Sequence, residues 1–444
     1  MDMPNILPIT AASNHSPTAP VVRPQGGHFA GIDALRAVAA VAVVLLHACV
    51  PYASPSMAGL SWSVLDTPDQ SVTYLFWGIE VVIMPIFLVI AGFFAARSVA
   101  HRGAWSTAMA RTRRLGWPLL LTVVFLLPVE FYTWMVGWVA DGQVAISNVK
   151  RMKFEGGVDR NLWGLSHLWF LQYLIMYVIV LACAWRSMVR LTATQIARYV
   201  MPVCFGVAVV SLTMRPEVVW GFQHSFIPVL SKWLYSGAFF AAGAFWYRLD
   251  PELDELKENG SRLIGPGTLL MAASVCMGTW WLATVGDPAK WINGGWAGID
   301  PVVSSDRFAG GLPVTSVAVR GGLSVLTVSA ASLMTFGLMG VCLAHISGLG
   351  RTMKSLAAAS FLIYLLHHPV VGLAHIAAKF ALPGVSPLAK VSLATGLGVA
   401  AGWSVSWLAQ QRRMRATQRA ETDDSVRSIE FPRTNESVAR SRAA

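Results

Sequence analysis

The sequence predicts an all-α, polytopic integral membrane protein of about ten transmembrane helices, on the basis of its composition and its apolar segments. Of its 444 residues, 55% are hydrophobic and 13% are charged, whereas a typical soluble domain carries about 25% charged residues. A spanning helix needs about 20 apolar residues. Ten stretches meet or approach this length, at 34–53, 73–97, 115–138, 165–185, 198–214, 228–247, 264–285, 322–347, 355–378 and 388–410.

The two ends of the chain differ from this hydrophobic body. Residues 1–30 and 411–444 are polar, and we expect both to be flexible, which leaves a ten-helix domain at 31–410. Basic clusters such as Arg111 and Arg114 recur in alternate loops, so the positive-inside rule places these loops and both termini in the cytoplasm. We therefore attribute the net charge of +11 to topology, and expect membrane lipid and not nucleic acid as a partner.

The first apolar stretch carries Asp33, Arg36 and His47 at helical spacing. Ionisable groups inside a span are costly, which makes them candidates for function. Arg36 and His47 are eleven residues apart, so a helix brings them to one face about 16 Å apart along its axis, and Asp33 can pair with Arg36 from one turn away. Two interpretations are open. In the first, Arg36 binds an anion and His47 accepts a proton. In the second, neither has a catalytic role: Arg36 extends to the membrane interface, and His47 is a buried histidine with its hydrogen bonds satisfied.

Further polar residues near the ends of other spans are candidates for the same site. Arg111 and Arg114 lie one turn apart and suit the phosphates of a donor, although anchoring at the cytoplasmic interface explains them as well. The candidates for binding an acceptor or stabilising an oxyanion are His167, Trp169, Glu130, His367 and His368.

Two expectations concern the His367-His368-Pro369 sequence. Adjacent helical residues point about 100° apart, so only one of the two histidines is expected to face a given cavity. Pro369 is expected to kink its helix and to free a backbone carbonyl. No set of Cys, His and carboxylate residues at ligand spacing accompanies these histidines, so the sequence predicts no metal site.

Together these motifs resemble the membrane acyltransferase-3 family. The hallmark of that family is an arginine and a histidine separated by ten residues in the first span, as Arg36 and His47 are here. The resemblance extends to PIFLVIAGFF at 85–94 and to the Arg111/Arg114 pair, and covers about residues 29–410. Within the family, SHLWFL at 166–171 and IYLLHHP at 363–369 resemble the branch that modifies glucans.

The resemblance implies a transferase of the bacterial inner membrane that moves a succinyl or acetyl group onto a saccharide hydroxyl. It implies acyl-CoA as co-substrate on the cytoplasmic side, a glucan or other polysaccharide as periplasmic acceptor, and no bound cofactor. His47 would be catalytic, and Arg36, oriented by Asp33, would handle the donor with Arg111 and Arg114. The competing prediction is an exporter or flippase of an acylated glycan, which the lack of an obvious internal repeat disfavours.

Overall fold

The computed structural model describes residues 29–57, 59–150, 154, 163–222, 225–285 and 313–430. This part of the chain is helical and contains no β-strand, which confirms the predicted all-α class. Nine of its helical segments are long and apolar enough to cross a membrane. The protein is therefore a polytopic membrane protein.

The first half of the chain contains eight helices. They are α1 (Ala30–Cys49), α2 (Gln70–Arg102), α3 (Ala104–Leu121), α4 (Leu127–Ala140), α5 (Ile146–Lys150), α6 (Trp169–Met188), α7 (Ala193–Gln195) and α8 (Met201–Met214). A π-helical turn at Thr122–Leu126 joins α3 to α4, and a second one at Ile196–Val200 joins α7 to α8. Each pair thereby forms one continuous span.

The described part of the second half contains seven further helices. They are α9 (Glu217–Trp220), α10 (Leu230–Leu249), α11 (Asp254–Asn259), α12 (Ile264–Val285), α13 (Pro313–His345), α14 (Arg351–Ala381) and α15 (Pro387–Glu430). The predicted eighth span, at 322–347, is part of the longer α13. Residues 286–312, between α12 and α13, lie outside the described residues.

The predicted sixth span, at 228–247, forms α10 but is not among the nine apolar spans. Its sequence includes Lys232 and Arg248, which lower its hydropathy. Close backbone contact holds this helix against α2. A Cβ atom on Gly92 would lie 2.0 Å from the Phe240 carbonyl oxygen, and one on Gly243 would lie 2.0 Å from that of Val89. Only glycine permits this approach, a common device for packing helices within membranes.

The last helix extends beyond its predicted end at residue 410. α15 continues to Glu430, so residues 411–430, which we expected to be disordered, are helical. Residues 431–444 and the N-terminal tail at 1–28 lie outside the described residues. The extension carries Arg413 to the edge of a cavity described below.

The helix α1 lies at the centre of the bundle. It packs against α2, α13, α14 and α15. In its most apolar 18 residues 67% are buried inside the protein, the largest share among the nine spans. Its many alanines, including Ala37 and Ala40, allow neighbouring helices to come close. Residues on α1 are therefore placed between helices and not only at the lipid surface.

Candidate active site

Two cavities adjoin α1, and they differ in size and in charge. The larger has a volume of about 1100 Å³, and no acidic residue is among the described residues that line it. Six arginines do line it: Arg36, Arg97, Arg102, Arg111, Arg114 and Arg413. The smaller, of about 60 Å³, is lined by residues that include His47, Glu80, His167, Trp169 and Lys232.

The two cavities are neighbours. Val43, Met84 and Tyr364 line both of them. These three side chains therefore form the wall between the arginines on one side and His47 on the other. Arg36 and His47 do not share one open cavity, but they lie on one helix at either side of this wall.

The arginines predicted from the sequence lie at the larger cavity. Arg36 Nη1 donates to Asp33 Oδ1 at 3.0 Å, which is the predicted pair one turn apart. Arg111 Nη2 donates to the Phe94 carbonyl oxygen at 3.0 Å and so ties α3 to α2. Arg114, one turn later, lines the same cavity. Several guanidinium groups at one cavity without carboxylates favour an anion as its ligand.

The hydrogen bonds of His47 define its tautomer. Nδ1 donates to the carbonyl oxygen of Val43 at 2.8 Å. The Nδ1 of His367 is bound to carbonyl oxygens of its own helix, at 2.8 Å from Tyr364 and 3.0 Å from Ile363. Its Nε2 is then an acceptor, and it lies 3.2 Å from Nδ1 of His47. The proton of His47 is therefore held on Nδ1, and its Nε2 has a free lone pair that suits a proton acceptor.

A buried glutamate lies beside this pair. Glu130, on α4, is 6% exposed, and its Oε1 accepts a hydrogen bond from Ser166 Oγ at 2.5 Å. His368 Nδ1 lies 3.0 Å from Oε1, and His167 Nδ1 lies 3.5 Å from Oε2. The rings of His167 and His368 stack with their centroids 4.5 Å apart. Three candidate residues from three parts of the chain, Glu130, His167 and His368, thus meet in one place.

Local backbone features explain how His167 is held. Pro369 has no N–H to bond the carbonyl of Leu365 one turn before it, and His167 Nε2 donates to this oxygen at 3.3 Å. The prediction of a freed carbonyl is therefore confirmed. On the other side, Tyr364 Oη donates to the backbone oxygen of His167 at 2.5 Å. Ser166 has a φ of 47°, a left-handed conformation that turns the chain into α6.

Both histidines of the His367-His368 pair contact the same residue. The ring of His47 lies 5.0 Å from that of His367 and 4.7 Å from that of His368, centroid to centroid. The 100° separation on α14 places them on two sides of this ring, which reaches in from α1. Neither of them lines the two cavities described above, so the expectation that only one faces a given cavity stays a prediction.

An aromatic loop closes one side of the cluster. Trp62 stacks on His47 with centroids 6.0 Å apart and an interplanar angle of 18°. Its indole N–H donates to His375 Nδ1 at 2.9 Å, and His375 Nε2 donates to the Ala48 carbonyl oxygen at 3.1 Å. The indoles of Trp134 and Trp138 donate to backbone oxygens of Ser61 and Trp62, each at 2.8 Å. The loop between α1 and α2 is thereby fixed over the histidines.

The sequence did not single out Trp62 or His375. His375 follows His368 by seven residues, which is two helical turns, so a shared helix face was the available signal for it. Trp62 lies in a loop without periodicity, and no local pattern indicates its position.

Trp169 lines the smaller cavity and contacts a buried cation there. Its ring lies 3.9 Å from Lys232 Nζ, a cation–π contact, and Phe222 lies 4.7 Å from the same ammonium. Lys232 is 5% exposed and lines the smaller cavity together with Glu80. Trp169 therefore holds a buried cation at this cavity, and its predicted role toward an acceptor stays a prediction.

Ion pairs fix the outer ends of the helices. Lys390 Nζ donates to Asp66 Oδ2 at 2.8 Å, and Lys379 pairs with Asp141. Burial raises the pKa of Asp66, but the hydrogen bond and charge of Lys390, with a backbone N–H from Thr67, outweigh it and hold this pKa below its ordinary value. The loop that carries Trp62 is thus tied to α15.

These features define a class: a polytopic membrane protein in which one buried helix links an arginine-lined cavity to a histidine cluster. A sequence model of the Acyl_transf_3 family, described as Acyltransferase domain, matches residues 29–407, and the chain belongs to this family. No curated protein and no solved structure gives a significant match. The chain is a membrane acyltransferase.

Proposed function

We propose that the protein transfers an acyl group from cytoplasmic acyl-CoA to a saccharide hydroxyl presented from the opposite side of the membrane. The observation that carries this proposal is the pair of adjoining cavities, one lined by arginines and the other by His47. An anionic donor needs positive charge, which the arginines of the larger cavity supply. A hydroxyl acceptor needs a proton acceptor, which His47 supplies at the smaller cavity.

The larger cavity suits the donor. Its volume of about 1100 Å³ is at the upper end of the range of small-molecule sites, and guanidinium groups bind phosphate with two parallel hydrogen bonds. Arg36, oriented by Asp33, then acts together with Arg111 and Arg114 on the phosphates of CoA. The thioester end of the donor must pass the wall at Val43, Met84 and Tyr364 to reach His47.

His47 is the proposed general base. Its Nε2 removes the proton of the acceptor hydroxyl while the hydroxyl oxygen forms a bond to the thioester carbonyl carbon. The tetrahedral oxyanion then collapses, the carbon–sulfur bond breaks, and the imidazolium returns its proton to the sulfur, which leaves as the CoA thiol. Of the predicted candidates for stabilising the oxyanion, neutral His167 and His367 already donate their single N–H to backbone carbonyl oxygens. This leaves His368, whose ring lies 4.7 Å from that of His47, as the candidate donor.

The finer proposals rest on the sequence motifs. The similarity of SHLWFL at 166–171 and IYLLHHP at 363–369 to glucans biosynthesis protein C supports a periplasmic glucan as acceptor and a succinyl or acetyl group as cargo. The basic residues beside the larger cavity support a cytoplasmic position for it, and for both termini, in a bacterial inner membrane.

The test uses the full chain in nanodiscs with labelled succinyl-CoA or acetyl-CoA and a glucan. We expect label to appear in the glucan, and His47→Ala to abolish this transfer. His345→Ala is a matched control, because His345 is exposed at the end of α13. Transfer by His47→Ala at the wild-type rate would overturn the role of His47. Movement of an already acylated glycan without any label transfer would instead support an exporter.

A further inference from the structure

Three buried polar atoms beside the catalytic cluster point at one another without forming hydrogen bonds. They are Glu130 Oε2, His167 Nδ1 and His368 Nδ1. One potential ligand atom from each of these residues lies within 4.8 Å of the other two. The three side chains are at most 8% exposed. Buried polar atoms without partners are rare and call for an explanation.

Protons satisfy this arrangement only if His167 carries two of them. His167 donates through Nε2 to the Leu365 carbonyl, so in the neutral ring Nδ1 presents a lone pair to the carboxylate 3.5 Å away. His368 can face Glu130 with a proton on Nδ1, but a neutral His167 cannot. The 3.0 Å approach of His368 to Oε1 also lacks the alignment of a hydrogen bond. A divalent cation accepts electron pairs from all three residues at once.

We propose that Glu130, His167 and His368 bind one zinc ion. Two imidazoles and one carboxylate are a ligand set of zinc sites that keep a fourth position open. Zinc bonds of about 2.0–2.1 Å place tetrahedral ligand atoms roughly 3.4 Å apart, close to the 3.0 and 3.5 Å separations of nitrogen and oxygen here.

The surroundings of the three residues match those of metal ligands. A ligating histidine usually donates its other N–H to a carbonyl or carboxylate, as His167 does to Leu365. A ligating carboxylate is usually hydrogen-bonded as well, and Ser166 donates to Oε1 of Glu130. Because His167 lines the smaller cavity, a water or substrate oxygen can reach the fourth position from there.

The proposal does not depend on the proposed function, and it is tested without an activity assay. Full-length protein in nanodiscs is stripped with a chelator, titrated with zinc chloride, and its bound metal is measured by mass spectrometry. We expect one zinc per chain. X-ray absorption of the wild type is expected to show nitrogen and oxygen ligands at about 2.0–2.1 Å, with two imidazoles.

Variants identify the ligands. Glu130→Gln and His368→Ala are each expected to weaken zinc binding more than about 100-fold, since loss of an outer hydrogen-bond partner alone costs 10- to 100-fold. Ser166→Ala is expected to weaken it about tenfold. His375→Ala is the matched control, a buried histidine on the same helix that bonds to Trp62 and Ala48, and it should retain the metal.

Two results would overturn the proposal. The first is a folded wild type that binds no zinc, or that shows no imidazole in its metal shell. The second is zinc binding that survives both Glu130→Gln and His368→Ala unchanged. Should either variant fail to fold, the absorption spectrum of the wild type still decides.

Discussion

The arginine-lined cavity and the histidine cluster are built on opposite principles. In the cavity, Arg36 keeps 44% of its side chain exposed and pairs with Asp33 on its own helix. In the cluster, His367 is fully buried and His368 is 2% exposed, and their nitrogens are set by contacts from α1 and α4. The cavity can attract a charged ligand of varied shape. The cluster fixes a few atoms in one arrangement.

The difference teaches that binding and chemistry are separable here. Charge–charge attraction tolerates small displacements, whereas proton transfer requires defined geometry. Substitutions in the two regions should therefore change different measured quantities, and the wall at Val43, Met84 and Tyr364 should be where the two effects meet.

The largest expected effect is on turnover, from His47→Gln. Loss of a general base lowers kcat by about 10²- to 10⁴-fold, whereas the affinity for free CoA should stay within about twofold because the larger cavity is unchanged. Turnover is measured with labelled acyl-CoA and affinity by calorimetry. His345→Gln serves as the control. A parallel loss of CoA affinity would show that the two regions are not separable.

The next effect is on donor affinity, from Arg36→Gln. A hydrogen bond to a charged group contributes about 1.5–3 kcal/mol, so the Kd of CoA should rise roughly ten- to hundredfold, while kcat at saturating donor changes little. The control is Arg186→Gln, an exposed arginine outside the cavity lining. Unchanged CoA affinity in Arg36→Gln would remove this residue from the donor site.

A smaller effect is expected at the wall, from Tyr364→Phe. This change deletes the hydroxyl that donates to the backbone of His167, and such a bond contributes about 0.5–1.5 kcal/mol. We expect a lower Tm and a modest fall in kcat, with CoA affinity unaffected. Tyr132→Phe, which alters an exposed tyrosine of α4, is the control for stability. An equal fall in Tm for both variants would argue against the contact.

The smallest effect concerns the ion pair between Asp66 and Lys390, and it changes the stability of the fold only at acidic pH. Because the pKa of Asp66 is lowered by its pairing with Lys390, the pair stabilises the fold above the unfolded-state pKa of about 3.9. This stability is lost as the pH falls through the lower pKa of the folded state.

The double variant Asp66→Asn, Lys390→Met removes the pair without leaving one charge buried alone. It should unfold near the wild-type temperature at pH 7 and show a shallower decline below pH of about 4. Thermal unfolding followed by tryptophan fluorescence measures both. Identical acid profiles for wild type and variant would contradict the assignment.

Much of the fold could be predicted because the local hydrophobic composition of a segment is enough to indicate a spanning helix. The stretch 355–378 lies inside the helical segment at Arg351–Ala381, and 34–53 ends one residue beyond the segment at Ala30–Tyr52. α10 was predicted as an apolar span but is not one of the nine apolar helical segments. It contains the buried Lys232, whose contact with Trp169 no local sequence pattern reveals. The helical continuation to Glu430 was missed because a polar segment carries no hydropathic signal.

The candidate site was predictable where partners share a helix. Asp33 and Arg36 pair through a one-turn spacing, and Pro369 frees a carbonyl by its covalent structure. The meeting of Glu130 with His167 and His368 was not predictable, because three separate segments bring them together. The sequence consequently predicted no metal site. In the folded chain, however, one potential metal-ligating atom from each of these three residues lies within 4.8 Å of the other two.

The wall of three side chains has a consequence for the cell. A protein that is reached by substrates from both faces of a bilayer risks becoming a pore, and each 100 mV of membrane potential drives an elementary charge with about 2.3 kcal/mol. Val43, Met84 and Tyr364 are the residues that line both cavities. If substrates reach the two cavities from opposite faces, these three side chains also have to hold back the leakage of ions and protons.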